Sequence, residues 1–390
     1  LLGGKMLLGY GARNCWCFKE WLDIDLRLNG YVPNDVSQGR DYSTVLGFEG
    51  ANASGKTNAL KVFCFIRDFV CNSFSYSVDE KIPFDTFFMN NEESEFYVEF
   101  RTSSNVEYRY EASLLTSKVV SEVISLIKDN SAEIVLEREN NEVIVNNIYD
   151  PGTKVILKDN ASIISTLYQY GMNEIKDIYT FFRNVLSNVS YSGFNYSVDS
   201  QLEYVSIRYR NDLQALKFSK ELIKRFDTGI DDIKIRKIEY KDNNKTTYYP
   251  MFLHSNDEKK IALGFGFESS GTKALYSYLI DYYYTLENGG ILVLDEFDIN
   301  IHKDILPLLL ELFTNTEKNK KGAQLLFTSL NPTVMDVLGR YRTYLFEKVD
   351  GESYAYRLDE PKTNILRNDR SISVPYGKHL IGGYPRIETQ

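Results

Sequence analysis

The chain has 390 residues, a length that fits roughly two to three domains or one large domain with an insertion, and its 43% hydrophobic and 25% charged residues are the balance of a globular protein with a sizeable core. Its 54 acidic residues outnumber 45 basic ones, and the net charge of −9 argues against a surface that is a nucleic-acid glove throughout, leaving room only for a local basic patch. No stretch approaches the roughly 18 apolar residues needed to span a bilayer, and four cysteines make no disulfide scaffold, so a reduced, cytoplasmic setting without a membrane partner is expected.

In chain order, Leu1–Tyr10 is apolar but short, without a charged lead-in or a cleavage site, so no signal peptide is expected. The chain lacks an initiator Met, and its start is expected to be incomplete. Residues 6–49 read as short strands with a loop from Gly30 to Tyr42, and the apolar run Ser43–Phe48 as a buried strand entering a loop. From Asn58 to Asn72, Leu60, Phe63, Cys64, Ile66, Phe69 and Val70 recur at helical spacing. Residues 95–112 alternate as a hairpin (Phe96, Val98, Phe100; then Val106, Tyr108, Tyr110), and Glu133–Leu136 with Val143–Val145 form another. Residues 160–226 are mostly helical by pattern, with a Ser/Asn/Tyr/Gly loop near Ser187–Ser200. Strands return at Ile233–Tyr240 and Thr246–His254, a helix at Ala274–Tyr284, and a hairpin at Thr343–Lys348 and Ser353–Leu358. The 29 Tyr and 23 Phe are spread along the chain among Asn, Ser and Asp, a pattern of core and surface filler rather than a base-stacking groove.

Gly50-Ala-Asn-Ala-Ser-Gly-Lys-Thr57 fits G-x-x-x-x-G-K-[ST] in full. The chemistry needs that spacing. The glycines let the backbone curl so that successive N–H groups face a phosphate, and the helix that follows adds its positive end. Lys56 supplies a mobile charge to the β- and γ-phosphates of ATP, and the Thr57 hydroxyl is placed for Mg²⁺. The candidate nucleotide-binding residues here are Gly50, Asn52, Ser54, Gly55, Lys56, Thr57 and Asn58.

Gly290–Glu296 is an apolar strand ending in two carboxylates, as a parallel strand buried on both faces should look. With a phosphate loop in the same chain, Asp295 is expected in the Mg²⁺ shell and Glu296, with Lys56, in catalysis, polarising the attacking water. Phe267-Glu-Ser-Ser-Gly-Thr-Lys273 precedes the Ala274–Tyr284 helix. Such an entrance is either a plain N-cap or an anion site of hydroxyls and free N–H groups.

Taken together, Gly50–Thr57, Glu268–Lys273, Ile291–Asp298 and Phe327–Pro332 resemble the stand-alone ABC-type ATPases of bacterial phage defence, of the AbiLi/RloA kind and the AriA kind of PARIS systems, themselves relatives of SMC-type heads and of the OLD ATPase domain. The "DEFDINIH" run ending at His302 and the closing "GGYP" add to the likeness, which covers about residues 1–150 and 230–350. The resemblance implies an α/β P-loop NTPase fold: an ABC-type head with a mixed central sheet, an antiparallel β-subdomain and a helical insertion. It divides the chain into 1–154, an insertion at 155–230, and 231–390. It implies that Ser269, Ser270 and Gly271 contact ATP held by a second copy, so that two chains close head to tail as a homodimer. Asp298 would lie near that seam, and His302 at the family's His position just beyond. One position departs from the family: where a His usually follows the strand Gln324–Thr328, this chain has Leu330. Either Ser329 or Asn331 substitutes, or turnover is slow and ATP acts mainly as a clamp.

The function implied is an ATP-driven sensor or regulator of antiviral defence gating a separate toxin or nuclease effector. An SMC-like DNA-repair ATPase is the alternative, though no heptad repeat is visible. A transporter subunit would be expected to carry the Leu-Ser-Gly-Gly-Gln signature that this chain lacks. Among weaker signals, Cys15 and Cys17, and Cys64 and Cys71, read as small hydrophobes rather than zinc ligands. Lys318–Lys321 is a solvated turn. Arg208, Arg210, Lys217, Lys220, Lys224 and Arg225 form a basic face interrupted by Asp212, Glu221 and Asp227, so DNA contact there is an open reading. His254 is read as structural.

Overall fold

The computed structural model describes residues 5–28, 30–129, 131–194, 198–227, 229–240, 245–255, 259–361, 366 and 370–384. Its centre is a six-stranded sheet in the order Glu352–Arg357, Thr343–Val349, Val45–Gly50, Gln324–Thr328, Ile291–Leu294, Val185–Ser187. Neighbours run parallel except for the outermost strand Glu352–Arg357, which pairs antiparallel with Thr343–Val349.

The inner strands are apolar because both faces are covered. Leu46, Phe48, Ile291, Val293 and Leu326 join one hydrophobic cluster, while Val45, Leu292, Leu294, Leu325 and Phe327 join another. The twofold alternation of a strand sends successive side chains into opposite cores. On the first face lies the helix Lys56–Asn72, backed by a seven-stranded antiparallel sheet in the order Leu22–Asp25, Met6–Arg13, Ser94–Arg101, Glu107–Leu115, Lys118–Lys128, Ser131–Glu139, Glu142–Asn146. On the second face lie the helices Ser270–Asn288 and Leu306–Thr314.

The expected hairpins at 95–112 and at 133–145 belong to the antiparallel sheet, joined by the strand Lys118–Lys128, and the one at Thr343–Lys348 and Ser353–Leu358 forms an edge of the central sheet. The loop expected near Ser187–Ser200 is partly wrong. Val185–Ser187, mostly within the stretch expected to be helical, pairs with Ile291–Val293 as the edge of the central sheet; inside the expected loop, Val189–Ser190 makes a small hairpin with Gly193–Phe194 and a helix begins at Val198. Three residues are too short for a periodicity to register. Residues 195–197 of that loop lie outside the described residues.

Helical residues of 155–230 divide between the two cores. Ile163–Gln169 and Lys176–Arg183 pack with the helix Lys56–Asn72, and Val198–Asn211 and Leu213–Phe226 pack on the helix Ser270–Asn288. Arg208 pairs with Asp281 at 2.6 Å, and the Tyr209 hydroxyl donates to the Tyr276 carbonyl at 2.9 Å. Of the basic face, Arg208, Lys217 and Lys220 are thus paired to Asp281, Glu221 and Asp232. Under the antiparallel sheet, Arg138 and Glu122 form an ion pair at 3.0 Å with both side chains fully buried. No described helix is long and apolar enough to cross a membrane.

Candidate functional site

Val45–Gly50 ends inside the core, and the chain must turn at once into the helix Lys56–Asn72. Gly50 and Gly55 take φ of 148° and 110°, conformations that other residues rarely adopt. Space enforces the choice as well: a Cβ on Gly50 would sit 2.5 Å from the Phe346 carbonyl oxygen, and one on Gly55 2.8 Å from the Ser353 hydroxyl. The helix begins without a side-chain cap, so its first N–H groups stay open to an anion.

Lys56 is largely buried, and its Nζ donates to the carbonyl oxygens of Gly50 at 2.7 Å and Ala51 at 2.8 Å. Burial lowers the affinity of this amine for its proton, against the pull of Glu49, Asp295, Asp298 and Glu296. Thr57 Oγ1 donates to the Asp295 carboxylate at 2.9 and 3.1 Å. From the adjoining strand, Thr328 Oγ1 donates to Asp295 Oδ1 at 2.5 Å and accepts the Glu296 N–H at 2.8 Å. The Asn188 side chain brackets Asp295, accepting its N–H at 2.8 Å and donating to its carbonyl at 3.0 Å. Glu296 has a left-handed backbone (φ 52°). Burial first, then Asp295 and Asp298, raises its carboxyl above the ordinary range.

These groups wall a cleft of about 610 Å³. Asn52, Gly55, Lys56, Thr57, Asn58, Asp295 and Glu296 line it, as do Ser329 and Leu330. Gly50 and Ser54 shape the loop from behind; Ser54 is buried, and its hydroxyl has no hydrogen-bond partner among the described residues. Asn58 donates to Cys17 Sγ at 3.0 Å, which places Cys17 in the cleft wall, a position its sequence does not signal. Asn188, Thr328 and Lys348 were also missed. Asn188 falls in the stretch expected to be loop, and Lys348 at the end of an expected hairpin strand.

Ser269, Ser270 and Gly271 do not line that cleft. Ser269 caps the helix Ser270–Asn288, accepting the Thr272 N–H at 3.1 Å, and both serines face solvent. A Cβ on Gly271 would lie 2.9 Å from the Asn300 carbonyl oxygen, so this turn packs tightly on the segment after the acidic strand. Behind it His254 Nε2 meets Glu268 Oε1 at 2.9 Å; that hydrogen bond raises the affinity of the imidazole for a proton, in keeping with a structural role. His302 is well exposed beside Asp304 and does not line the cleft. Leu330 does line it and is 55% exposed. The Asn331 side chain is taken up in capping Thr333 and the Thr328 hydroxyl in holding Asp295, while Ser329 also lines the cleft wall. Of the closing residues, Gly383 packs on the back of the phosphate loop, where a Cβ would lie 3.5 Å from Gly50 Cα; Pro385 lies outside the described residues.

The open helix end, the glycine cradle and the unpartnered Ser54 hydroxyl suit a polyphosphate, and the hard oxygens of Thr57 and Asp295 suit Mg²⁺. A phosphate loop at the carboxyl end of a buried parallel strand, an acidic strand end beside it and an antiparallel sheet over its helix define a P-loop head of the ABC-type ATPase class. The chain belongs to the family described as AAA domain, putative AbiEii toxin, Type IV TA system, which matches residues 46–336.

Among solved structures, an SMC head bound to the C-terminal winged-helix domain of ScpA is similar, with a TM-score of 0.52 and 12% identity over 91% of this chain and 98% of that one. An SMC head with an extended coiled coil from Pyrococcus furiosus, bound to the C-terminal domain of ScpA, gives 0.48 and 11% over 91% and 97%. The recombination mediator RecF with ATPγS gives 0.40 and 11% over 91% and 99%. At these identities the first likeness speaks to the fold alone. No curated protein matches the chain.

Proposed function

We propose that this chain binds ATP with Mg²⁺ in the cleft, closes head to tail with a second copy, and hydrolyses the nucleotide slowly. The observation that carries this reading is the division of the site. Lys56, Thr57, Asp295 and Glu296 gather in one cleft, while exposed Ser269 and Ser270 and half-buried Gly271 stand outside it, at a helix start that Ser269 caps. Half a nucleotide site faces the cleft, and its complement lies on a surface that a second copy can present.

In this reading Lys56 leaves the loop carbonyls for the β- and γ-phosphates, and Gly50, Asn52, Ser54, Gly55 and Asn58 shape the cradle. Thr57 and Asp295 hold Mg²⁺, which supplies charge neutralisation at the phosphates. Glu296 takes the proton of the attacking water. Leu330, with neither donor nor titratable proton, leaves the terminal phosphate without an imidazole, which favours ATP as a clamp over ATP as fuel.

The biological role proposed is a sensor or regulator in antiviral, abortive-infection defence that gates a separate toxin or nuclease. The toxin–antitoxin setting in the family's description supports it. Replacing Lys56 by Ala tests the core of the proposal. The expected result is ATP affinity lower by at least about tenfold, from the loss of a charge-assisted contact, together with loss of ATP-dependent dimers in sedimentation. Unchanged affinity and self-association would overturn it. Capture of partners from phage-challenged cells separates the roles: a toxin or nuclease supports the regulator, DNA an SMC-like activity.

A further inference from the structure

The residue before the phosphate loop is a carboxylate. Glu49 is the penultimate residue of the strand Val45–Gly50, is 1% exposed, and has an Oε1 with no hydrogen-bond partner among the described residues. A buried acceptor left open at the base of a binding loop calls for an explanation. Glu49 follows Phe48, the register partner of Thr328, so it stands beside Ser329 at the ends of the two paired strands, and Ser329 eases the charge on its carboxylate. Ser329 is fixed from two other sides: its N–H donates to the Phe48 carbonyl at 3.2 Å, and its Oγ accepts the Asn331 N–H at 2.9 Å. It also belongs to the cleft wall, beside Leu330.

We propose that Glu49 is a positioning residue for the terminal phosphate of ATP, acting through Ser329, and that the two side chains together stand in for the absent imidazole. The inference rests on the nucleotide reading above. A serine hydroxyl has one proton and two acceptor sites. One acceptor site is taken by Asn331. If Glu49 is ionised, it draws the Ser329 proton to itself and the hydroxyl has nothing to give a phosphate. If Glu49 carries a proton, it donates to the second acceptor site of Ser329, and the Ser329 proton is released toward the cleft. The proton on Glu49 comes from solvent, and apart from that proton transfer no bond is made or broken.

The surroundings favour the protonated form. Burial first, then the negative charge of Asp298, raises the Glu49 carboxyl well above its ordinary value, while Lys56 opposes the shift. Among the described residues, Tyr376 also faces it. When Lys56 turns from the loop carbonyls to a polyphosphate, its opposing charge leaves Glu49 and negative charge arrives nearby. Both changes push in the same direction. The pair would thus become a phosphate donor as the nucleotide seats.

The test is the ratio of affinities for a non-hydrolysable ATP analogue and for ADP, measured by calorimetry across a pH series. Ser329→Ala is expected to lower the preference for the triphosphate by about tenfold, the worth of one hydrogen bond to a charged group, with ADP affinity unmoved. In the wild type the preference should fall as pH rises and Glu49 ionises. In Glu49→Gln, whose amide donates at every pH, the preference should persist and its pH dependence should flatten. A purely structural role would shift both nucleotides together. Equal losses for ATP and ADP, an unchanged preference in Ser329→Ala, or a Glu49→Gln profile that tracks the wild type would each overturn the pairing. A wild type that binds neither nucleotide would overturn the nucleotide reading as well, which separates the two failures.

Discussion

Thr57 and Asp295, 238 positions apart in the chain, meet at 2.9 Å across the floor of the cleft. Neither could reach the other without the central sheet. Val45–Gly50 and Ile291–Leu294 both flank Gln324–Thr328 in parallel, so the loop that follows one and the acidic end of the other open on the same sheet edge. Thr328, at the end of the shared neighbour, hydrogen-bonds Asp295 and Glu296 together and sets their separate directions.

That separation gives Glu296 a testable role. Glu296→Gln is expected to keep ATP affinity while lowering phosphate release by at least about a hundredfold, the usual worth of a general base. The carboxyl must be ionised to accept a proton, and its affinity for a proton is raised by burial, Asp295 and Asp298. Wild-type turnover should therefore fall as pH drops through that raised value, and the residual rate of the variant should lack this limb. Phosphate-release rates from about pH 5 to about 9 check both.

In the proposed reading Leu330 keeps turnover slow. Wild-type turnover is expected below about 1 s⁻¹, at the low end of ordinary enzyme rates. Leu330 is 55% exposed, so Leu330→His should change stability by no more than about 0.5 kcal/mol. Its imidazole would restore a donor at the cleft wall, and single-turnover hydrolysis should rise. A variant no faster than the wild type would remove Leu330 as the cause of slow turnover.

Ser270 faces solvent at the start of its helix and does not line the chain's own cleft. Ser270→Arg should leave the monomer folded and its ATP affinity unchanged, yet abolish ATP-dependent dimers by placing a bulky side chain where a second nucleotide would close. Sedimentation with and without the analogue reads the outcome. Weakened binding in the monomer itself would place the serine in its own cleft instead.

Arg138 and Glu122 form a stability prediction independent of nucleotide. Both side chains are fully buried, and Arg138 also donates to the carbonyls of Ala161 at 2.6 Å and Lys158 at 2.8 Å. Glu122 accepts further from the hydroxyls of Tyr110 and Ser162, both at 2.7 Å. Arg138→Met would strand the carboxylate and should cost about 3–5 kcal/mol in denaturant unfolding. Replacing Glu122 by Leu in the same chain should recover much of that loss, since no buried charge then remains.

The phosphate loop, the apolar strand ending at Asp295 and Glu296, and the capped start at Ser269 were legible because each is a local pattern. Spacing of glycines, a continuous apolar run and a hydroxyl before a helix all act within a few residues, and the structure forms them where the pattern lies. What stayed hidden depends on partners far along the chain. Val185–Ser187 is a strand only because Ile291–Val293 offers it a ladder, and Asn188 reaches Asp295 as a result. Cys17 enters the cleft wall through its contact with Asn58, and Glu49 stands beside Ser329 only because their strands pair.

By itself, then, the order of residues determined the chemistry on offer: a phosphate cradle, two carboxylates, a serine–glycine helix start and a leucine where an imidazole is usual. Tertiary structure alone decided which of these share a cleft. Local patterns are written in backbone geometry that neighbours in sequence impose, whereas proximity across the sheet comes from burying both its faces, a constraint that acts on the whole chain at once.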